Sequence, residues 1–166
     1  MAANQQSSFA SSFSFFPLLD VVSGVWIGVS TGQKTSVKIE RSNSQLMKKI
    51  AVLGASQKPD RYAYKAMQRL QEHGYKAVPV NPVLPEVLGE HCYPGIRDVP
   101  GPIDTVTMYL GAERSTPFIQ DILAAEPRRI IFNPGAENEE LAKAALARGI
   151  EVVNGCTLVM LGAGTF

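Results

Sequence analysis

The chain has 166 residues, 45% of them hydrophobic, which is enough for one globular domain with a sizeable core. Its net charge of +1 excludes the basic face that a general nucleic-acid binder needs. Cys92 and Cys156 are the only cysteines and form no Cys-x-x-Cys pair, so a disulfide framework is excluded, zinc and thioredoxin-like chemistry lack support, and a reducing, cytoplasmic setting is expected.

Residues 1–46 differ in composition from the rest of the chain. Ser, Ala, Gln and Phe dominate the start, and no Lys or Arg precedes Lys34. The stretch from Phe13 to Val29 is apolar but lacks the basic start of a signal peptide. As a spanning helix it would bury Asp20, at about 2.5–3.5 kcal/mol, along with Pro17, Gly24 and Gly28. It is expected to be a disordered appendage or a non-native start, without a membrane role. The folded unit is expected at 47–166, opening with Met47-Lys48-Lys49-Ile50.

From there apolar strands alternate with amphipathic helices. The first strand is Ile50 to Leu53. The next helix carries Ala63, Ala66, Met67 and Leu70 at i, i+3, i+4, i+7 and stops at Gly74. A second strand runs from Ala77 to Val80 and ends at Asn81-Pro82. A Pro/Gly-rich connection comes next, with one helical turn near Ile96–Val99. The third strand is Thr105 to Leu110. Thr116 is expected as a helix N-cap with Pro117 at the first helical position, and Phe118, Ile119, Ile122 and Leu123 form the buried stripe. Arg129 to Phe132 is the fourth strand. Asn133-Pro134-Gly135 makes a turn, and Asn138 or Glu139 opens a helix with Leu141, Ala142, Ala145 and Leu146 inward. Gly149 ends that helix and Glu151 to Val153 is the fifth strand.

Such alternation predicts an α/β fold: a Rossmann-like, three-layer, doubly wound parallel sheet of about five strands. The expected strand order sets the first strand between the second and fourth. A crevice then opens at the carboxyl ends of the first and fourth, with Gly54–Arg61 facing Asn133–Glu139.

The residues around that crevice carry the functional argument. Gly54, Ala55 and Ser56 form a turn of small side chains between strand and helix, where backbone amides and the helix dipole favour an anion. Arg61 lies in the first helical turn, where a cation opposes the dipole and calls for an anionic partner. Asp60, which is also a candidate N-cap, is one such partner; a ligand phosphate, with Lys58 as a second cation, is the other. The dinucleotide fingerprint is absent, because only Gly54 of its three glycines is present and Val80-Asn81-Pro82 replaces the acidic residue after the second strand. Asn81 can bond a ribose or an adenine edge, or simply end the strand.

Glu137, Glu139 and Glu140 read as dipole partners and His73 as a helix C-cap. His91 has no companion at metal spacing. Cys156 is expected as a buried, inert thiol, with a mixed disulfide to a thiol ligand as the alternative. No Ser-His-Asp set, assignable carboxylate pair or metal cluster is visible.

These motifs together resemble the small, single-domain CoA-binding proteins, related to the N-terminal CoA-binding domain of the succinyl-CoA synthetase alpha subunit. The matching pieces are Leu53-Gly54-Ala55-Ser56 with Arg61, His73-Gly74-Tyr75 and Pro79-Val80-Asn81-Pro82. Further along come Leu88-Gly89 with Tyr93-Pro94, Asp104-Thr105-Val106, Phe132-x-x-Gly135 with Asn138-Glu139, and Gly149-Ile150-Glu151-Val152-Val153 before Cys156. The resemblance implies that Gly54, Ala55 and Ser56 meet the phosphates of coenzyme A with Arg61. It implies that Val80, Asn81 and Pro82 border the adenine or ribose, and that Gly135 and Asn138 line the far side near the pantetheine arm. The chain departs from the pattern at Tyr62-Ala63-Tyr64, where many relatives carry a small hydroxyl residue. It departs again at Phe132-Asn133-Pro134-Gly135, where many carry Trp and Gln.

The expectation is a cytoplasmic, non-catalytic binder of coenzyme A or an acyl-CoA. The alternatives are an NAD(P)-binding oxidoreductase-like domain, and a ligand-controlled module that docks to a protein partner or a second copy. The apolar run Leu158-Val159-Met160-Leu161 is the cue for the last, although a tail packed on its own core is the simpler reading.

Overall fold

The computed structural model describes residues 48–166. The expectations for residues 1–46 therefore lie outside the described residues.

A parallel sheet of five strands forms the middle layer: β1 (Lys49–Leu53), β2 (Lys76–Val80), β5 (Thr105–Met108), β6 (Arg129–Phe132) and β7 (Glu151–Asn154). Alternation along β1 shows how the layers arise. Ile50 and Val52 point to one face, where they meet Ala63, Met67 and Leu70 of α1 (Tyr62–Glu72) and Leu161 of α5 (Thr157–Gly162). Ala51 and Leu53 point to the other, toward Ile119, Ile122 and Leu123 of α3 (Ile119–Ala124) and Leu141 and Ala145 of α4 (Glu139–Ala147). With both faces covered, β1 and β5 read as near-continuous apolar or β-branched runs, as a buried parallel sheet requires.

The strand order is β2-β1-β5-β6-β7, so β1 lies between β2 and β5. This corrects the expected placement of Arg129–Phe132 beside the first strand. The cause lies in the connection 81–104. A hairpin of β3 (Glu86–Val87) and β4 (Glu90–His91) turns on Leu88 and Gly89, both at positive φ. The chain then touches the outer edge of β2 through a single parallel bridge, Val80 to Tyr93. Pro94 comes directly after and has no amide to extend a ladder. This outermost strand is thus shortened to one residue, and counting it as loop displaced every later strand by one position.

Helical backbone begins at α2 (Ala112–Ser115), with Gly111 as its N-cap. Thr116 therefore lies inside the helical run rather than capping it. Pro117 lacks the amide for an α-helical bond, so Thr116–Phe118 tightens to a 3-10 turn before α3 resumes. Phe118 and Leu146 are exposed, against expectation, at 39% and 60%. The run ending at Leu161 does fold onto the core through that residue, 3% exposed.

Candidate functional site

The connections leaving β1 and β5 go to opposite faces of the sheet, and ligands of open α/β sheets bind at such a divergence. A cleft of about 400 Å³ opens there. Gly54, Ala55, Ser56, Lys58 and Arg61 form one wall, and Asn133, Pro134, Gly135 and Ala136 form the other. Tyr109 and Leu110, directly after β5, lie between them. The two loops expected to face each other do so, with β5 rather than β6 beside β1.

The Gly54 turn is packed tightly. At φ +83, a side chain there would put its Cβ 2.8 Å from Leu110 Cδ2. Its amides are committed, however: Gly54 N and Ala55 N both donate to Val80 O, at 3.0 and 3.3 Å. Ser56 Oγ accepts from Lys58 N at 3.1 Å. The donors left for an anion lie further on, in the first turn of α1, whose leading amides have no carbonyl partner within the helix.

Arg61 occupies the N-cap position of α1 without a side-chain cap, and no acidic residue sits in the first turn. Asp60 neither caps the helix nor pairs with Arg61. Lys58, Arg61 and Arg114 line the cleft, and none forms a salt bridge among the described residues. No Asp or Glu is among the lining residues. Three cations around a polar hollow, unbalanced by carboxylates, make a focused positive field for a multiply charged anion.

Sequence reasoning missed Arg114. It lies in α2, which opens on a glycine cap with no side-chain signal, and Pro117 drew the expected helix start forward to Thr116.

Val80, Asn81 and Pro82 line a narrow apolar notch of about 50 Å³ beside the cleft, with Leu53, Ile96 and Phe118. Gly54, Asn81 and Leu110 border both spaces. The Asn81 side chain is engaged within the protein: Nδ2 donates to Ala55 O at 2.9 Å, and Oδ1 accepts from Val83 N at 2.9 Å. Gly135 lies on the far wall, where its amide donates to Glu137 Oε2 at 2.8 Å.

Asn138 is not among the residues lining the cleft. It is buried, its Oδ1 accepts from Leu141 N at 3.0 Å to cap α4, and its Nδ2 donates to Ser115 Oγ at 2.8 Å. It joins α4 to α2 instead.

Beyond Tyr109 the cleft adjoins a side chamber of about 270 Å³, lined by Tyr62, Tyr109, Asn133, Pro134, Cys156 and Leu158. Cys156 is half-buried here rather than sealed in the core, whereas Cys92 is buried. Burial pushes the Cys92 thiol pKa up, against a smaller opposing effect of its hydrogen bond to Asn81 O. Burial likewise pushes the Tyr109 phenol up to about 12, so it is neutral at physiological pH. Thr157 and Thr107 lie near its oxygen and partly offset that rise. Their hydroxyls bond each other at 2.7 Å, and the phenol oxygen itself has no hydrogen-bond partner.

The chain matches the family described as "CoA binding domain" over residues 48–162. It is 30% identical over 109 residues to the uncharacterized protein YneT of Bacillus subtilis, covering 66% of this chain and 81% of that one. A stretch of 57 residues is 35% identical to acetate–CoA ligase (ADP-forming) of Methanocaldococcus jannaschii, covering 34% of this chain and only 8% of the ligase. Among solved structures, an uncharacterized protein superposes with a TM-score of 0.69 at 48% identity, over 72% of this chain and 98% of its own. A hypothetical protein from Pyrococcus horikoshii superposes with a TM-score of 0.67 at 35% identity, over 70% of this chain and 83% of its own.

Proposed function

The chain belongs to the CoA-binding domain family, and from that premise we propose that it holds coenzyme A or an acyl-CoA by its nucleotide and pyrophosphate end, as a cytoplasmic binding protein without chemistry of its own. One observation carries the reading: Lys58, Arg61 and Arg114 line a cleft that contains no carboxylate, beside the amides that open α1. A pyrophosphate between them gains charge-assisted hydrogen bonds of about 1.5–3 kcal/mol each.

The adjoining surfaces support the same ligand. The apolar notch at Val80, Asn81 and Pro82 suits the flat face of an adenine. With Asn81 Oδ1 already accepting from Val83 N, the acceptor that a nicotinamide cofactor's ribose would need is occupied. No His, Asp or Glu lines the cleft to serve as a general base. No helix among the described residues is long and apolar enough to cross a membrane.

Isothermal titration of the full chain with CoA, acetyl-CoA and NAD tests the proposal. Saturable binding of the CoA species, tighter than that of NAD, is the expected result. Binding of NAD alone would overturn it.

A further inference from the structure

Resting on that reading, we infer that the chamber behind Tyr109 is an acyl pocket, and that the site prefers a short-chain acyl-CoA to acetyl-CoA. The order of the three spaces carries the inference. An apolar notch, a cationic cleft and an apolar chamber succeed one another along the sheet edge, sharing Gly54, Asn81 and Leu110 at one junction and Tyr62, Tyr109, Asn133 and Pro134 at the other. A ligand that fills them has a flat ring, then negative charge, then an apolar end.

The chamber walls make that last requirement specific. None of the lining residues carries a charge. Asn133 is the one amide there, and its polar atoms are spent. Nδ2 donates to Thr107 Oγ1 and Met108 O at 2.7 and 3.0 Å, and Oδ1 accepts from Thr157 N at 2.8 Å. The Tyr109 oxygen is buried away from solvent. A carboxamide or carboxylate placed in the chamber would thus lose water and gain little, whereas methylene groups lose nothing. These bonds also anchor the start of α5, so the chamber's shape is set by a buried network.

Size limits the chain length. At about 270 Å³ the chamber holds on the order of nine water volumes, room for a butyryl group and too little for a long fatty chain. Each methylene buried is worth roughly fourfold in affinity, so butyryl-CoA should bind about tenfold more tightly than acetyl-CoA.

Titration of the full chain with acetyl-, butyryl- and palmitoyl-CoA tests this. Butyryl-CoA about tenfold tighter than acetyl-CoA, with no further gain for palmitoyl-CoA, is expected. Equal affinities for acetyl- and butyryl-CoA would overturn the acyl pocket while leaving the CoA reading intact; absence of binding by any of them would overturn both. A variant with the chamber filled, Leu158→Trp, should bring the acetyl and butyryl affinities together. If that variant fails to fold, Cys156 reports occupancy in the unaltered chain. It lines the chamber and Cys92 is buried, so alkylation by N-ethylmaleimide, located by mass spectrometry, should be slowed more by saturating butyryl-CoA than by saturating acetyl-CoA. Equal protection would count against the inference.

Discussion

Replacing Arg61 by serine should weaken ligand binding and strengthen the fold at the same time. Arg61 stands at the N-cap of α1 with no side-chain cap. A cation there opposes the helix dipole by about 0.3–1 kcal/mol. Serine removes that opposition and supplies a hydroxyl that accepts from the second or third helical amide, typically worth about 1 kcal/mol. The fold should therefore gain on the order of 1 kcal/mol. The ligand loses a guanidinium–phosphate contact. Because Arg61 is exposed, the lower end of the charge-assisted range applies, about 1.5 kcal/mol, or roughly tenfold in affinity. Calorimetry with CoA gives the second quantity and urea unfolding of the ligand-free chain gives the first. Pantetheine, which lacks the phosphates, should bind both proteins alike. A Kd for CoA within twofold of the unaltered chain would refute the assignment of Arg61, and so would a loss of affinity matched by a loss of stability.

Three further substitutions probe the frame around the site. Gly54→Ala places a side chain at φ +83 with its Cβ 2.8 Å from Leu110; it should cost more than about 1 kcal/mol in urea melts and weaken CoA binding by shifting Leu110 and Tyr109. Glu137→Gln removes the negative charge that now sits on the Gly135 amide, and CoA affinity should rise about twofold to threefold, consistent with a few tenths of a kcal/mol from one exposed charge; a weaker ligand would show that Glu137 holds the loop in its binding form. Asp104 supplies a pH test. Burial would raise its carboxyl pKa, but the Arg128 and Thr105 hydrogen bonds and the charges of Arg128 and Lys48 outweigh burial and hold it below the usual value. A depressed carboxylate stabilises the fold above its unfolded pKa and loses that contribution as pH falls through the native one. Asp104→Asn should accordingly destabilise the chain near neutral pH and have no effect once the solution is more acidic than the depressed pKa; a deficit that persists there would contradict the linkage.

Much of the scaffold was readable because its apolar spacing is dense and its ends are marked. The Ala63, Ala66, Met67 and Leu70 stripe is buried throughout, at 5% exposure or less. Gly74 and Gly149 sit at positive φ where their helices were expected to stop. Arg129–Phe132 matches residue for residue. Errors arose where a long-range partner decides the outcome. Tyr93 pairs with β2 through one bridge, too short to leave a period in the sequence. Leu146 fits the inward spacing of α4 yet overhangs its rim, because the sheet beneath ends before it. The small residues after β1 correctly mark a tight turn, but only the fold reveals that Val80 O takes the Gly54 and Ala55 amides. Asn138 has the spacing of a helix cap, and its second bond, to Ser115, depends on how α2 lies against α4. The chamber behind Tyr109 joins residues from four separate stretches of the chain, so no local pattern announces it.

A crystal structure of the chain with CoA would examine the central claim most directly. The pyrophosphate should lie within hydrogen-bond reach of the Arg61 guanidinium and the first amides of α1, between Lys58 and Arg114. Phosphates elsewhere on the surface, with Arg61 turned to solvent and the cleft filled by water, would contradict it.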